Sequence, residues 1–300
     1  MPRQIEFFPA YWFSSLTGLP NGIGYVSKAV VICLFISFLI SVPARAQIKV
    51  RTYYDSTKAT KLKEEYTVNS VQDSTRNGPY ARFAPGGKKE LTGAYLNGRK
   101  EGTFTEYYEN GKKKLEAFYV AGRKNGPMIS WTEAGIMVQK AYFENDKLKD
   151  SLITFHPDGA LKSRGRFVND WPDGLVFEYR PNGILKQELM YAKGKPNGIC
   201  KEYYETGILY IEANYVDGLL DGTYKVYHPN GRIDTESKME GGTRSGYFKN
   251  FATDGHLIRE GNYKDGLFEG PVKSYYADGS MRSIVNFKAG EPEGEATHYY

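Results

Sequence analysis

From residue 78 to residue 300, apolar and polar residues recur in one fixed frame. Glycine, or in one case aspartate, stands at 78, 102, 126, 150 (Asp150), 174, 198, 222, 246, 270 and 294, with 24 residues between successive marks and no insertion or deletion. With that residue numbered 0 in each unit, position +5 is aromatic in all ten copies, from Phe83 and Tyr107 to Tyr299. Position +9 is glycine in all nine copies that reach it, and +17 is aromatic in eight of nine, Met239 being the exception. Position +20 is glycine in seven of nine, with Asp146 and Asp170 in the other two. Repetition this regular marks a tandem array of small supersecondary units.

Each unit reads as a β-hairpin. A short run rich in β-branched and aromatic residues fills +1 to +6, a turn follows at +7 to +9, and a second run extends from +10 to +18. Pro229-Asn230-Gly231 and its equivalents place proline at the first corner of a type I turn and glycine at the left-handed position that closes it. That turn sets +6 opposite +10 and +5 opposite +11. Carried without interruption, the register pairs +3 with +13 and +1 with +15. One face then collects +5, +11, +15 and +17 as the core, and the other collects +2, +4, +6, +14 and +16. Lys201, Lys225, Lys249 and Lys273 at +3 fall on the expected core face, so they extend past its rim or mark a bulge. The fold class expected is all-β: an elongated repeat protein whose tandem 24-residue hairpins form one long twisted antiparallel sheet. Single hairpins bury little, so stability must come from stacking on neighbours.

Composition agrees with this reading. The chain holds 25 Tyr, 16 Phe and 33 Gly, the stock of short strands and tight turns. The organisation expected is an N-terminal extension and signal peptide at 1–46, a degenerate capping repeat at 47–77, and an array at 78–300. That array has nine full units and a partial tenth at 294–300. The signal peptide is read from the apolar run Ala29 to Val42, the preceding Lys28 and the Ala44-Arg45-Ala46 end, with cleavage after Ala46. Export to the periplasm, the outer membrane or the medium follows from it. A retained anchor is the competing reading, although fourteen residues rise only ~21 Å as a helix. Cys200 would then be the lone cysteine, a small buried hydrophobe. Setting aside residues 1–46, with three basic groups and one acidic, leaves 37 basic and 34 acidic groups, a balance that gives no reason to expect nucleic acid.

The unit G-x-x-x-x-Y-Y-x-x-G followed by Y-x-x-G and the next unit's glycine, as in Gly198 to Gly222, resembles the bacterial variant of the MORN repeat. The resemblance covers 78–300 and implies an elongated sheet of hairpins used for binding or assembly. Bacterial members often carry an antitoxin-like label. The period of 24 is slightly longer than the family's usual one, and Asp150 replaces a glycine.

No residue pattern implies catalysis, a metal or a cofactor. His156 and His228 hold the same position three units apart, too far to share an ion, and the glycines never open a helix around a phosphate. The candidate binding surface is the +6 set on the sheet: Tyr108, His156, Tyr204, His228, Tyr276 and Tyr300. Such side chains dock polypeptide or stack on sugar rings, or else cover the apolar +2 row. Residues 78–125 hold ten basic and five acidic groups. The register divides that charge between two rims, Lys88, Lys89, Lys112, Lys113 and Lys114 beside one row of turns and Arg99, Lys100, Arg123 and Lys124 beside the other. The function expected is an exported, non-enzymatic scaffold that binds a protein partner in the cell envelope. A carbohydrate-binding module for envelope glycans and a surface for anionic phospholipid are the alternatives. The final strand, left without a return strand, makes the C-terminal edge a homodimer candidate.

Overall fold

The computed structural model describes residues 47–55 and 57–300. The apolar run and Ala-x-Ala end read above as a signal peptide lie outside them. Every regular element among the described residues is a β-strand, and all 24 belong to a single antiparallel sheet in hairpin order. In three units the first strand is broken in two, as at Lys195–Pro196 and Gly198–Tyr203, and both pieces pair with the strand before them. A leading hairpin, Ile48–Tyr53 with Leu62–Val68, adds to the first unit through the pairing of Leu62–Val68 with Arg76–Phe83.

The turn read from the sequence is present in every unit. Its +9 glycines all have positive φ, between 81° at Gly183 and 98° at Gly255, where a side chain would be strained. In the unit beginning at Gly198, the Gly207 N–H donates to the Tyr204 carbonyl at 3.0 Å and the Tyr204 N–H to the Ile208 carbonyl at 2.8 Å, which closes +6 against +10. A second tight turn joins one unit to the next. Positions +19 and +20 both have positive φ, as at Asp217 (50°) and Gly218 (90°), the signature of a two-residue type I′ turn. Asp146 and Asp170 hold this conformation without glycine, at φ 68° and 73°. Their carboxylates accept the N–H groups of Lys124 and Leu148 at 2.7 Å, a local compensation open to aspartate.

The register expected beyond the turn is wrong by one residue, and the cause recurs in every unit. Tyr203 faces Leu209 as expected, but Glu202 faces Ile211, because Tyr210 at +12 is an unpaired bulge. From there Lys201 faces Glu212, Cys200 faces Ala213 and Gly198 faces Tyr215. A slip of one residue exchanges the faces of everything beyond it. The core face therefore collects +2 and +4 from the first strand with +13, +15 and +17 from the second. Positions +3, +5, +11, +14 and +16 share the opposite, open face.

Burial follows the corrected faces. Tyr80, Phe104, Met128, Cys200, Phe248 and Val272, all at +2, are buried, as are Ala117, Ala141 and Ala213 at +15. Each +2 side chain lies against a +15 residue, which is Gly, Ala or Ser in seven of nine units; the exceptions, Leu189 and Val285, face the smaller valines Val176 and Val272. At Gly93 and Gly165 even a methyl group would meet Phe104 or Val176 at 2.6 and 2.7 Å. Rings at +17 complete the stripe: Tyr80, Tyr95, Phe104 and Tyr119 follow one another edge to face, with centroids 5.3, 5.4 and 5.3 Å apart. The +5 aromatics, expected in this core, stand half-buried on the open face instead in the nine full units, and Tyr299 of the partial tenth is exposed.

Candidate binding surfaces

The +6 side chains sit at the turn end of the core face, and most are committed to the neighbouring unit. Between units the ladder pairs +15 with +2, +14 with +3 and +13 with +4, as in Ala213–Tyr224, Glu212–Lys225 and Ile211–Val226, and stops there. The next carbonyl, at +5, is left beyond the ladder. The preceding unit's +6 side chain reaches it. Tyr108 donates its hydroxyl to the Trp131 carbonyl at 2.7 Å, Tyr204 to Tyr227 at 2.6 Å, and Tyr276 to Tyr299 at 2.9 Å. His156 and His228 make the same contact through Nε2 with the carbonyls of Tyr179 and Phe251, both at 2.9 Å, which makes Nε2 the protonated nitrogen. Tyr300 is fully exposed. Two residues outside the sequence-derived set act alike: Arg180 donates to Tyr203 and Tyr54 of the leading hairpin to Phe83, each at 2.9 Å. Their shared signal is a long side chain carrying a terminal donor, whether aromatic or not.

The basic residues of 78–125 lie along both rows of turns, and the two rows differ. On the hairpin-turn side Lys88 and Lys89 are exposed, Lys112 Nζ donates to the Ala134 carbonyl at 2.6 Å, Lys113 pairs with Glu116, and Lys114 lies 5.8 Å from the Tyr108 ring centre. On the connector side Arg99 and Arg123 are exposed, whereas Lys100 and Lys124 fold back over the core stripe. The Lys100 ammonium stands 4.8 Å from the Phe104 ring and 4.6 Å from that of Tyr119; Lys124 stands 5.0 Å from Phe143. Their stems cover apolar surface while their charges face the π-clouds.

The open face carries a pattern the expected register had split between two faces. Because +3 and +14 oppose each other both within a unit and between units, they form one stripe that crosses every strand. From Glu188 to Lys273 eight successive residues of this stripe alternate glutamate and lysine. Lys201–Glu212 and Lys225–Glu236 stand at 3.8 and 3.9 Å, exposed enough that each contributes little to stability. The +5 tyrosines border the stripe and bind its carboxylates, Tyr203 to Glu188 at 2.9 Å and Tyr275 to Glu260 at 2.8 Å. Burial first, then the hydrogen bond and charge of Glu188, push the Tyr203 phenol up to about 12. Phe118, Tyr142, Leu175, Ile199 and Tyr247 at +1 and +16 flank the stripe as exposed large apolar side chains.

Comparison with known proteins bears on the repeat itself. No curated protein sequence matches the chain. Among solved structures, that of TcdB2-TccC3-Cdc42 aligns with 80% of this chain and 14% of its own, at 12% identity and a TM-score of 0.19. The structure of TcdB2-TccC3-TEV aligns with 82% of this chain and 17% of its own, at 10% identity and the same TM-score. The chain thus spans less than a fifth of the length of either. A family model described as the MORN repeat variant matches residues 100–121, 172–193, 196–217, 220–238, 244–265 and 268–289. Every match begins at +22, so the family's repeat and the 24-residue frame are one. The chain belongs to the MORN-repeat family.

Proposed function

We propose that the chain is a non-enzymatic repeat scaffold that binds a polypeptide partner through the open face of its sheet. The observation that carries this is the row of exposed apolar side chains, Phe118, Tyr142, Leu175, Ile199 and Tyr247, beside a charged stripe one residue wide. Apolar anchors set among charges are what protein interfaces use for affinity and register. The core face supports such a role less well, because its rings pack on one another and most of its +6 donors are bound to carbonyls. The Ala-x-Ala end of the apolar run would place the partner in the cell envelope, and a mature chain starting at Gln47 is the result expected from N-terminal sequencing. The binding reading is tested by placing a photocrosslinking residue at Ile199 or, on the core face, at Ser274. Adducts with polypeptide from Ile199 and not from Ser274 are expected; the reverse pattern would overturn the assignment of the face.

A further inference from the structure

The open-face stripe changes character midway along the ribbon. On its C-terminal side lysine and glutamate alternate and neutralise each other. From Ile129 to Phe177 the same positions read Ile129, Lys140, Ile153, Arg164, Phe177, one per strand, with cations in the places where glutamates stand elsewhere. Arg166, two residues beyond Arg164 on the same strand, adds a third positive charge. Among the described residues none of the three, Lys140, Arg164 or Arg166, has a carboxylate partner; the ion pairs Lys113–Glu116, Lys149–Glu144 and Lys186–Glu178 involve other cations. An open concavity of ≈ 550 Å³ lies here, lined by Ile153, Arg164, Arg166, Leu175 and Phe177, with Asp150 as the acidic residue on its wall. Two other carboxylates of this face border the patch and are engaged: Glu116 with Lys113, and Glu188 with the Tyr203 hydroxyl.

We infer that this hollow is the docking site for an acidic, apolar segment of a partner protein, one that presents aspartate or glutamate beside an aromatic or aliphatic residue. The inference rests on the reading of the open face as a protein-binding surface. Arg164 lies with its guanidinium carbon 4.8 Å from the centre of the Phe177 ring. Stacked in that way it keeps its donors free to grip a carboxylate from two nitrogens. Arg164 and Arg166 point to the same side of one strand, ~7 Å apart, which is the spacing of alternate residues in an extended peptide. Two acidic side chains at i and i+2 therefore meet both arginines. Leu175 and Ile153 form the apolar floor, and Leu175 is 40% exposed. The volume falls within the ~300–1,000 Å³ of ordinary ligand sites, enough for a few side chains. A flat anionic surface fits less well, since the glutamates of the adjoining stripe would face it.

The test uses the full chain. A phage-displayed library of random peptides is panned against it, and enriched peptides are measured by fluorescence polarisation against the wild type, Arg164→Glu, Arg164→Gln and, as a control in the neutral stripe, Lys225→Glu. Enrichment of Asp or Glu next to aromatic or aliphatic residues is expected. Affinity should fall on the order of tenfold or more with Arg164→Glu, less with Arg164→Gln, and little with Lys225→Glu. Unchanged far-UV circular dichroism confirms that each variant is folded. Peptides that bind Arg164→Glu undiminished but lose Lys225→Glu would overturn this site and leave the scaffold reading standing. Failure to enrich any peptide would overturn both. Binding to phosphatidylglycerol vesicles that Arg164→Glu abolishes, without peptide binding, would assign the hollow to lipid instead.

Discussion

Replacing Ser237 with alanine should stabilise the protein. Ser237 occupies a +15 position between Tyr224 and Phe248, is 1% exposed, and its hydroxyl has no hydrogen-bond partner among the described residues. The equivalent residues Ala117, Ala141 and Ala213 show that a methyl group suffices there. A buried polar group left unsatisfied costs about 1–3 kcal/mol, and deleting the oxygen removes that cost while leaving almost no cavity. A gain of about 1 kcal/mol is expected after allowance for the small volume lost. With a urea dependence of ~1–3 kcal/mol per molar, the unfolding midpoint should rise by roughly 0.3–1 M, read by far-UV circular dichroism. Because units stabilise one another through their neighbours, the gain should appear in the transition of the C-terminal units, which contain Ser237. The mirror substitution Ala213→Ser should lower the midpoint comparably. A Ser237→Ala variant that is neutral or less stable would refute the argument, since the hydroxyl would then have to be bound.

Three further outcomes follow from the same geometry. Tyr204→Phe removes the hydroxyl that serves the Tyr227 carbonyl and should cost about 0.5–1.5 kcal/mol in urea unfolding, whereas no change would mean the bond contributes nothing. Gly207→Val places a β-branched residue at φ 85° and should cost about 1–2 kcal/mol or more, so an unchanged melting curve would contradict the turn. Stability should also fall on the alkaline side. Tyr203 titrates near 12 in the folded chain and near 10 when unfolded, so its contribution is complete below about pH 10 and is lost as pH rises to about 12. Tyr203→Phe should flatten that decline in a comparison of urea midpoints at about pH 9 and about pH 11.

The repeat frame and the turn at +9 were legible because each depends on a residue type the backbone demands, glycine in a left-handed conformation. The bulge at +12 was not legible, because no residue type marks it: Glu90, Lys114, Val138, Tyr210, Asp234 and Ile258 all occupy that place. Missing it split the stripe, leaving Lys201 on an expected core face and Glu212 on the other. Lysine recurring at +3 opposite glutamate at +14 was nonetheless a readable sign, since opposite charges one residue out of register ask for a bulge. The +6 set was visible as a column of tyrosine and histidine. Its work on the +5 carbonyl of the next unit was not, because the unpaired carbonyl arises only where the inter-unit ladder ends. Arg180 makes the same contact from the same position, but it stands outside an aromatic column because reach and a terminal donor, not a ring, are what the carbonyl requires.

Cys200 permits the most direct test of which face is packed. It stands at +2, 4% exposed, with burial pushing its thiol up, while Lys201 beside it faces solvent on the open side. In a Cys33→Ser background, the reaction of Cys200 with a thiol reagent is compared with that of a Cys200→Ala, Lys201→Cys chain. If the bulge sets the faces as described, Cys200 reacts only as fast as the protein opens and the new thiol at 201 reacts promptly. Prompt reaction of Cys200 together with protection at 201 would restore the unbulged register and contradict the assignment of both faces.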